Sequence, residues 1–318
     1  MLFRSIRLAL IWYPFQYVPD IYYYDKQATE ALASGVDPYG HAYAVPAWLL
    51  TQGAENVFAY LPGVLPFLLP FGVLTDVRVG LVVCDIIVAC CLWSLGGRRS
   101  PTVAAAFLFV PPLFLFSTWY PNNALIAMAF LSSSILLESR RNYTWSGLFL
   151  GLTMASNQFV WLVFPFLALR SVRGGRSRDV GVSLLVASLV VLPFVLWDLN
   201  AFWSNVVAFP LSRQPQSLLT PEPFGFNVNL TLSGLAFTLA GSLVPSWARI
   251  ALVAGPLVLF LSRSSKSGSF LLDSTLLLLL GVLVLPTTLS LWYLELPLLT
   301  FLAWLALPST TAEPSGNP

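Results

Sequence analysis

The sequence predicts an all-α fold, a polytopic transmembrane helical bundle, and three observations carry that expectation. Of 318 residues, 57% are hydrophobic and only 9% are charged, against roughly 25% charged in a soluble globular domain. Apolar runs of about 15 to 20 residues, the length that crosses a ~30 Å hydrocarbon core as helix, recur along almost the whole chain. These runs carry no polar stripe at helical period, as a helix packed on a soluble core would. A single domain over 1–307 is expected, followed by a short tail over 308–318, because no linker-like stretch divides the chain. No cleavable signal peptide is expected either.

The basic residues set the expected topology. They cluster as Arg4/Arg7, Arg98/Arg99, Arg140/Arg141, Arg170/Arg173/Arg176/Arg178 and Arg263/Lys266, each at the edge of an apolar run. The positive-inside rule places every cluster, with both termini, on the cytoplasmic side of a multi-pass cell-membrane protein. Crossings are then expected at 5–18, 79–95, 102–116, 123–137, 180–197, 247–261, 270–285 and 294–307. The run 145–169 has arginines at both ends, so it is expected to double back as a hairpin of two short helices, with its tip at Ser156-Asn157-Gln158. The run 59–74 carries Pro62, Pro66 and Pro70 and is expected to be a bent helix lying in the outer interface. The count is about eight full spans, a short-helix hairpin and an interfacial helix. Two long outer regions follow, 19–78 and 198–245. Most acidic residues outside the crossings fall on the outer face: Asp20, Asp25, Glu30, Asp37, Glu55, Asp76, Asp198, Glu222 and Glu295. Acid–base chemistry is therefore expected to face outward.

Metal and redox chemistry find little support. Cys84, Cys90 and Cys91 share one apolar run, where a thiol behaves as a small apolar group, and His41 is the only histidine. Structural zinc is excluded by that count, and no cofactor or nucleic-acid partner is expected.

The densest chemistry is in Pro19-Asp20-Ile-Tyr-Tyr-Tyr-Asp25, a helix to Ala33, and the turn Asp37-Pro38-Tyr39-Gly40 before His41. Asp20 sits where the first crossing leaves the bilayer. It either caps the following helix among belt tyrosines or, partly desolvated, serves as a base towards an acceptor hydroxyl.

Asp-Ile-x-x-Tyr, an Ala-rich helix, then Gly-x-Asp-Pro-Tyr resembles the opening of the polyprenol-phosphate-mannose-dependent glycosyltransferases of the GT-C fold. Further stretches resemble the family in order: Phe58-Ala-Tyr60-Leu-Pro62; Asp76-Val-Arg78 with Asp85; the Gly147 to Pro165 run containing Asn157-Gln158-Phe; Asn227-Val-Asn229-Leu-Thr-Leu-Ser-Gly; and Pro286 to Pro297. The likeness covers nearly the full chain, and its weight lies in the order of several short motifs. It implies a GT-C-like membrane hexosyltransferase that moves a sugar, mannose in the family, from a polyprenyl-phosphate donor to an outer-face glycan, lipid or protein acceptor. It also implies that Asp20 is the catalytic residue. Arg78, Asn157, Gln158 and Arg213 are the candidate ligands of the donor phosphate, although Asn157 stands where the family carries lysine. Tyr24, Asp37, Tyr39, His41, Tyr60, Asp85, Asn123, Asn229, Trp292 and Tyr293 are candidate pocket residues. Phosphate leaves readily, so the reaction needs no metal.

Two other classes use the same composition. A transporter or lipid flippase also has many spans and a broken helix, and a non-catalytic subunit of a glycosylation complex also tolerates the loss of the lysine.

Overall fold

A computed structural model describes residues 20–47, 57–109, 122–212, 231–242, 244–263, 270–286 and 294–307. The expected crossing at 5–18 and the tail at 308–318 lie outside these residues. Every regular element among the described residues is a helix. In chain order they are α1 (Asp20–Ala33), α2 (Val64–Leu74), α3 (Val77–Ser94), α4 (Ser100–Phe109), α5 (Ala124–Ser139), α6 (Tyr143–Ser156), α7 (Val160–Arg173) and α8 (Ser177–Trp197). There follow α9 (Leu199–Phe202), a π-helical turn (Trp203–Ala208), α10 (Phe209–Ser212), α11 (Leu232–Ala240), α12 (Ser246–Arg263), α13 (Phe270–Val284) and α14 (Glu295–Ala306).

Helix α3 and helix α8 are long and apolar enough to cross a membrane, with mean hydropathies of 2.0 and 2.5. Helix α8 buries only 17% of its most apolar window, and it exposes Leu184, Leu185, Leu189, Leu192 and Leu196. A continuous apolar face of that kind calls for a lipid or protein neighbour, because water solvates it poorly. The other apolar helices, including α5, α13 and α14, are shorter.

The 145–169 run is not a single rod. Asn157 has an extended backbone at φ −150°, ψ 125°, which ends α6, and its side chain accepts the Phe159 N–H at 2.9 Å, which starts α7. The two helices lie back to back, since the Trp161 indole N–H donates to the Met154 carbonyl at 3.1 Å. Gly147 and Gly151 on α6 then abut the backbone of α8 at Asp179 and Ser183, so α6 and α8 run parallel with α7 returning between their ends.

This reversal sorts the molecule into two ends. At one end, Glu138 meets Arg170 at 3.4 Å and Arg176 at 3.3 Å, while Gly97 and Ser100 hydrogen-bond the Ala306 carbonyl. The Arg98/Arg99, Arg140/Arg141 and Arg170/Arg176 groups therefore share an end. At the other lie α1, the start of α3, the start of α5 and the 157–159 tip, tied together by Gly63, whose N–H donates to the Ala155 carbonyl at 2.8 Å.

Polar side chains clamp the helices internally. Ser134 and Ser146 exchange reciprocal hydroxyl-to-carbonyl bonds of 2.9 Å between α5 and α6, and Thr275 meets Thr300 at 2.8 Å between α13 and α14. Such bonds contribute about 0.6 kcal/mol each inside a membrane. The proline-bearing run begins its helix later than expected, at Val64. Pro62 lies in the preceding turn, Pro66 falls in the first turn where no helical hydrogen bond is lost, and Pro70 alone is interior.

A Cβ at Gly151 would sit 2.5 Å from the Ser183 carbonyl oxygen and 2.8 Å from Val186, whereas one at Gly181 meets nothing within 4 Å. Gly151→Val is expected to cost about 1–3 kcal/mol by forcing α6 from α8, and Gly181→Ala to gain about 0.5 kcal/mol. Thermal unfolding of the purified chain in detergent checks both; an unshifted Gly151→Val would disprove the close approach.

Candidate functional site

Helix α1 is the element on which the candidate site is built. Its buried positions Ile21, Tyr24, Asp25, Ala28 and Thr29 recur at three- and four-residue spacing, so one face packs inward while Lys26 and Glu30 point out. Three neighbours hold that face. Gly72 of α2 lets Thr29 in, since a Cβ there would lie 2.2 Å from its hydroxyl oxygen. Tyr22 donates its hydroxyl to Asp76 Oδ2 at 3.1 Å at the start of α3. Asn123, at the start of α5, donates its amide to Asp25 Oδ1 at 2.8 Å. Gln27 adds a two-bond bridge to the backbone of Ala44, at 2.7 and 2.8 Å, which fixes the loop after α1.

Asp20 is the first residue of α1 and half-buried. Its Oδ1 accepts the Ile21 N–H at 2.8 Å, and a carboxylate in the first turn is stabilised by the helix dipole. An aromatic cluster packs behind the loop that follows α1. Tyr39 stacks edge-on against Phe58, Phe194 and Phe202, with centroids 5.1–6.0 Å apart, and its hydroxyl donates to the Tyr60 carbonyl at 2.7 Å. Tyr43 packs between Tyr24 and His41 at 5.6 and 5.1 Å. The Asp37-Pro-Tyr-Gly turn forms as its residues dictate: Asp37 accepts the N–H groups of Tyr39 at 3.0 Å and Gly40 at 3.2 Å. Asn205, within the π-helical turn, donates to the Tyr39 carbonyl at 2.7 Å, so the segment after α8 packs on this cluster.

Among the described residues, the candidate phosphate ligands sit on two elements, Arg78 in the first turn of α3 and Asn157 and Gln158 at the hairpin tip. Arg78 is 8% exposed and is held by Asp76 through paired bonds of 2.9 and 2.8 Å, with the Tyr22 ring 4.8 Å from its guanidinium carbon. Its partner is thus Asp76, two residues away. Burial alone would raise the Asp76 carboxyl, but the hydrogen bonds and charge of Arg78 hold it below its ordinary 3.8. Burial and the Asp76 charge push the Tyr22 phenol up to about 12. Asn157 is half-buried and Gln158 exposed at the hairpin tip. Asp85 is 1% exposed within α3, about two turns past Arg78. Arg213, Asn229, Trp292 and Tyr293 lie outside the described residues.

Asp25, which the sequence offered only as one of the outer acids, is the most deeply placed acid of this end. It is 0% exposed, and burial pushes its carboxyl up to about 8 despite the Asn123 hydrogen bond, with the nearby Asp20 charge raising it further. The signal was legible in principle. Asp25 falls on the same face as Ile21, Tyr24 and Ala28, so helical spacing alone assigns it to the interior. Arg249 was likewise passed over. It is 3% exposed and donates to the carbonyls of Leu285 and Leu211 and to the Ser246 hydroxyl, joining the start of α12 to the end of α13 and to α10.

The Asp76–Arg78 pair predicts an acid limb in stability. The folded carboxyl lies below 3.8, so its contribution is present above that value and is lost as pH falls through the folded value. Asp76→Asn is expected to cost about 3 kcal/mol at neutral pH, because it leaves Arg78 buried without its anion, and to flatten the dependence below pH 4. Unfolding midpoints in detergent from pH 2 to 7 test this; a variant as acid-sensitive as the wild type contradicts it.

No protein-family model matches the chain, and no curated protein matches it.

Proposed function

We propose that the chain is a polytopic membrane glycosyltransferase of the GT-C kind, moving a hexose, mannose by the resemblance of its motifs, from a polyprenyl-phosphate carrier to an outer-face acceptor. The observation that carries this reading is the division of the molecule into two ends. Arginine groups collect at one, and at the opposite end Asp20 begins a helix whose Tyr24 packs on Tyr43, in the loop where Tyr39 reaches the Tyr60 carbonyl. In a cell membrane the arginine end faces the cytoplasm together with both termini, so the carboxylate and the aromatic cluster meet the outer leaflet, where a lipid-linked sugar and its acceptor are found. The topology is about eight crossings, with the α6–α7 hairpin and α2 at the outer surface.

The reaction is a single displacement. The acceptor hydroxyl oxygen bonds to the anomeric carbon as the bond to the carrier phosphate oxygen breaks, and Asp20 takes the hydroxyl proton. The leaving phosphate gathers negative charge. The amides of Asn157 and Gln158 at the hairpin tip supply hydrogen bonds to it and Arg213 the positive charge. Arg78 is already matched by Asp76 and serves mainly to hold α1 and α3 in place. Aromatic faces suit the apolar side of a sugar ring. A carrier protein would set its broken helix at mid-membrane, whereas here the break at Asn157 lies beside Gly63, at the same end as Asp20.

Replacing Asp20 by Asn keeps the shape and removes the base. Transfer from a lipid-phosphate sugar to acceptor is expected to fall by about 10²–10⁴-fold with an unshifted unfolding midpoint. Undiminished turnover would remove Asp20 from the mechanism, and solute uptake into proteoliposomes without any transfer would replace the enzyme by a transporter.

A further inference from the structure

Two buried oxygens at the α1–α5 junction lack a hydrogen-bond partner among the described residues: Asp25 Oδ2 and Asn123 Oδ1. They belong to the two groups already joined by the 2.8 Å bond from the Asn123 amide to Asp25 Oδ1. Asp25 is 0% and Asn123 3% exposed, so bulk water satisfies neither. A buried acceptor without a donor is costly, and a buried carboxylate without a cation more so. As drawn with a charged carboxylate, both leftover atoms are acceptors and repel. A proton on Asp25 Oδ2 turns one of them into a donor and makes the other its natural acceptor.

We propose that Asp25 is a neutral carboxylic acid that closes a two-bond ring with the Asn123 amide, and that this ring positions α1, with Asp20 at its head, on the start of α5. In that ring the Asn123 N–H donates to Asp25 Oδ1 and the Asp25 O–H donates to Asn123 Oδ1, so the two orphaned atoms are the halves of one bond. Asp25 is then a positioning residue: it holds the helix whose first residue acts on substrate and touches no substrate itself. The activity part of this inference rests on the reading of Asp20 as base.

The surroundings favour the neutral form. Asp20 on the same helix adds negative charge, and Tyr43 faces Asp25 from the loop after α1. Helix α3 brings Asp76 and Arg78, which neutralise each other, and Asp85. Helix α2 contributes no charged residue, and the single charged residue of α5, Glu138, sits at the arginine end. Among the described residues no cation is directed at Asp25, and burial lifts its carboxyl to about 8. The folded chain therefore holds one more proton than the unfolded chain between 3.8 and about 8. Stability contributed by this group falls as pH rises through that window and is level above it.

Asp25→Asn is the decisive variant, because an amide in this place makes the same two bonds with no titrating proton. Three measurements on the purified full chain in detergent decide the matter: the infrared carbonyl band of a protonated carboxylic acid, unfolding midpoints from pH 5 to 9.5, and sugar transfer over the same range. The wild type is expected to show the band, to lose it through about pH 8, and to show a midpoint that falls between pH 5 and 8. Its transfer rate should drop about tenfold per pH unit above that point. Asp25→Asn should lack the band, flatten the midpoint profile, keep transfer within about threefold at pH 7, and lose the alkaline decline. An unchanged band and an unfolding profile identical to the wild type would show that no such proton exists. Loss of transfer by about a hundredfold or more with unaltered unfolding would make Asp25 a reacting group. Should the wild type transfer no sugar at all, the glycosyltransferase reading fails by itself, and the band with the unfolding profiles still decides the ring.

Discussion

The reversal of the backbone at Asn157-Gln158-Phe159 is the constraint on which the rest of the structure depends. A continuous helix through 143–173 would carry its flanking arginines to opposite ends of the bundle. The extended Asn157 and its side-chain bond to the Phe159 N–H stop one helix and start another within three residues. Glu138 can then meet both Arg170 and Arg176. With the Arg98/Arg99, Arg140/Arg141 and Arg170/Arg176 groups at one end, α1 and its aromatic neighbours collect at the other. The candidate site is a product of that sorting before it is a product of any single residue.

Within the far end, α1 acts as a keystone held from several directions by different chemistry. Thr29 packs into a gap that only glycine leaves at position 72, Tyr22 reaches the Asp76–Arg78 pair, and Asp25 reaches Asn123. Two of these ties are charged or titratable, and their directions oppose. Asp76 is stabilised as an anion by its arginine, while Asp25 is driven towards neutrality by burial. The helix is therefore best anchored in mild acid, above the range where the first tie is lost and below the window up to about pH 8 through which the second weakens.

Much of the helical framework was legible because apolar runs bounded by polar residues leave few choices. The expected segments 79–95, 123–137, 180–197, 247–261 and 270–285 differ from α3, α5, α8, α12 and α13 by only a few residues at either end. Arginine placement also disclosed the fold-back of 145–169, since it is a statement about charge and needs no side-chain geometry. Pairing was harder to read. In sequence Arg78 reads as a phosphate ligand, but Asp76 both caps α3 and grips the guanidinium, a local arrangement that the spacing allowed and did not single out. Asp25 was hidden by its company: next to Tyr22, Tyr23 and Tyr24 it read as an outer acid, and only helical phase assigns it to the inner face. The aromatic pocket residues Tyr24, Tyr39 and Tyr60 do meet around one loop, whereas Asp85 lies within α3 and Gln158 at an exposed tip.

The bond between Gly63 and Ala155 has a consequence for biogenesis. A ribosome makes residues 57–63 long before it makes the hairpin they dock on, so the segment leaves synthesis with the Gly63 backbone donor unmet. Sequence-distant pairing of this kind delays closure of the early loop until the sixth and seventh described helices arrive. Truncated chains ending before Ala155 should then be targets for quality control, since the part of the molecule that carries Asp20 has not yet received the surface that completes it.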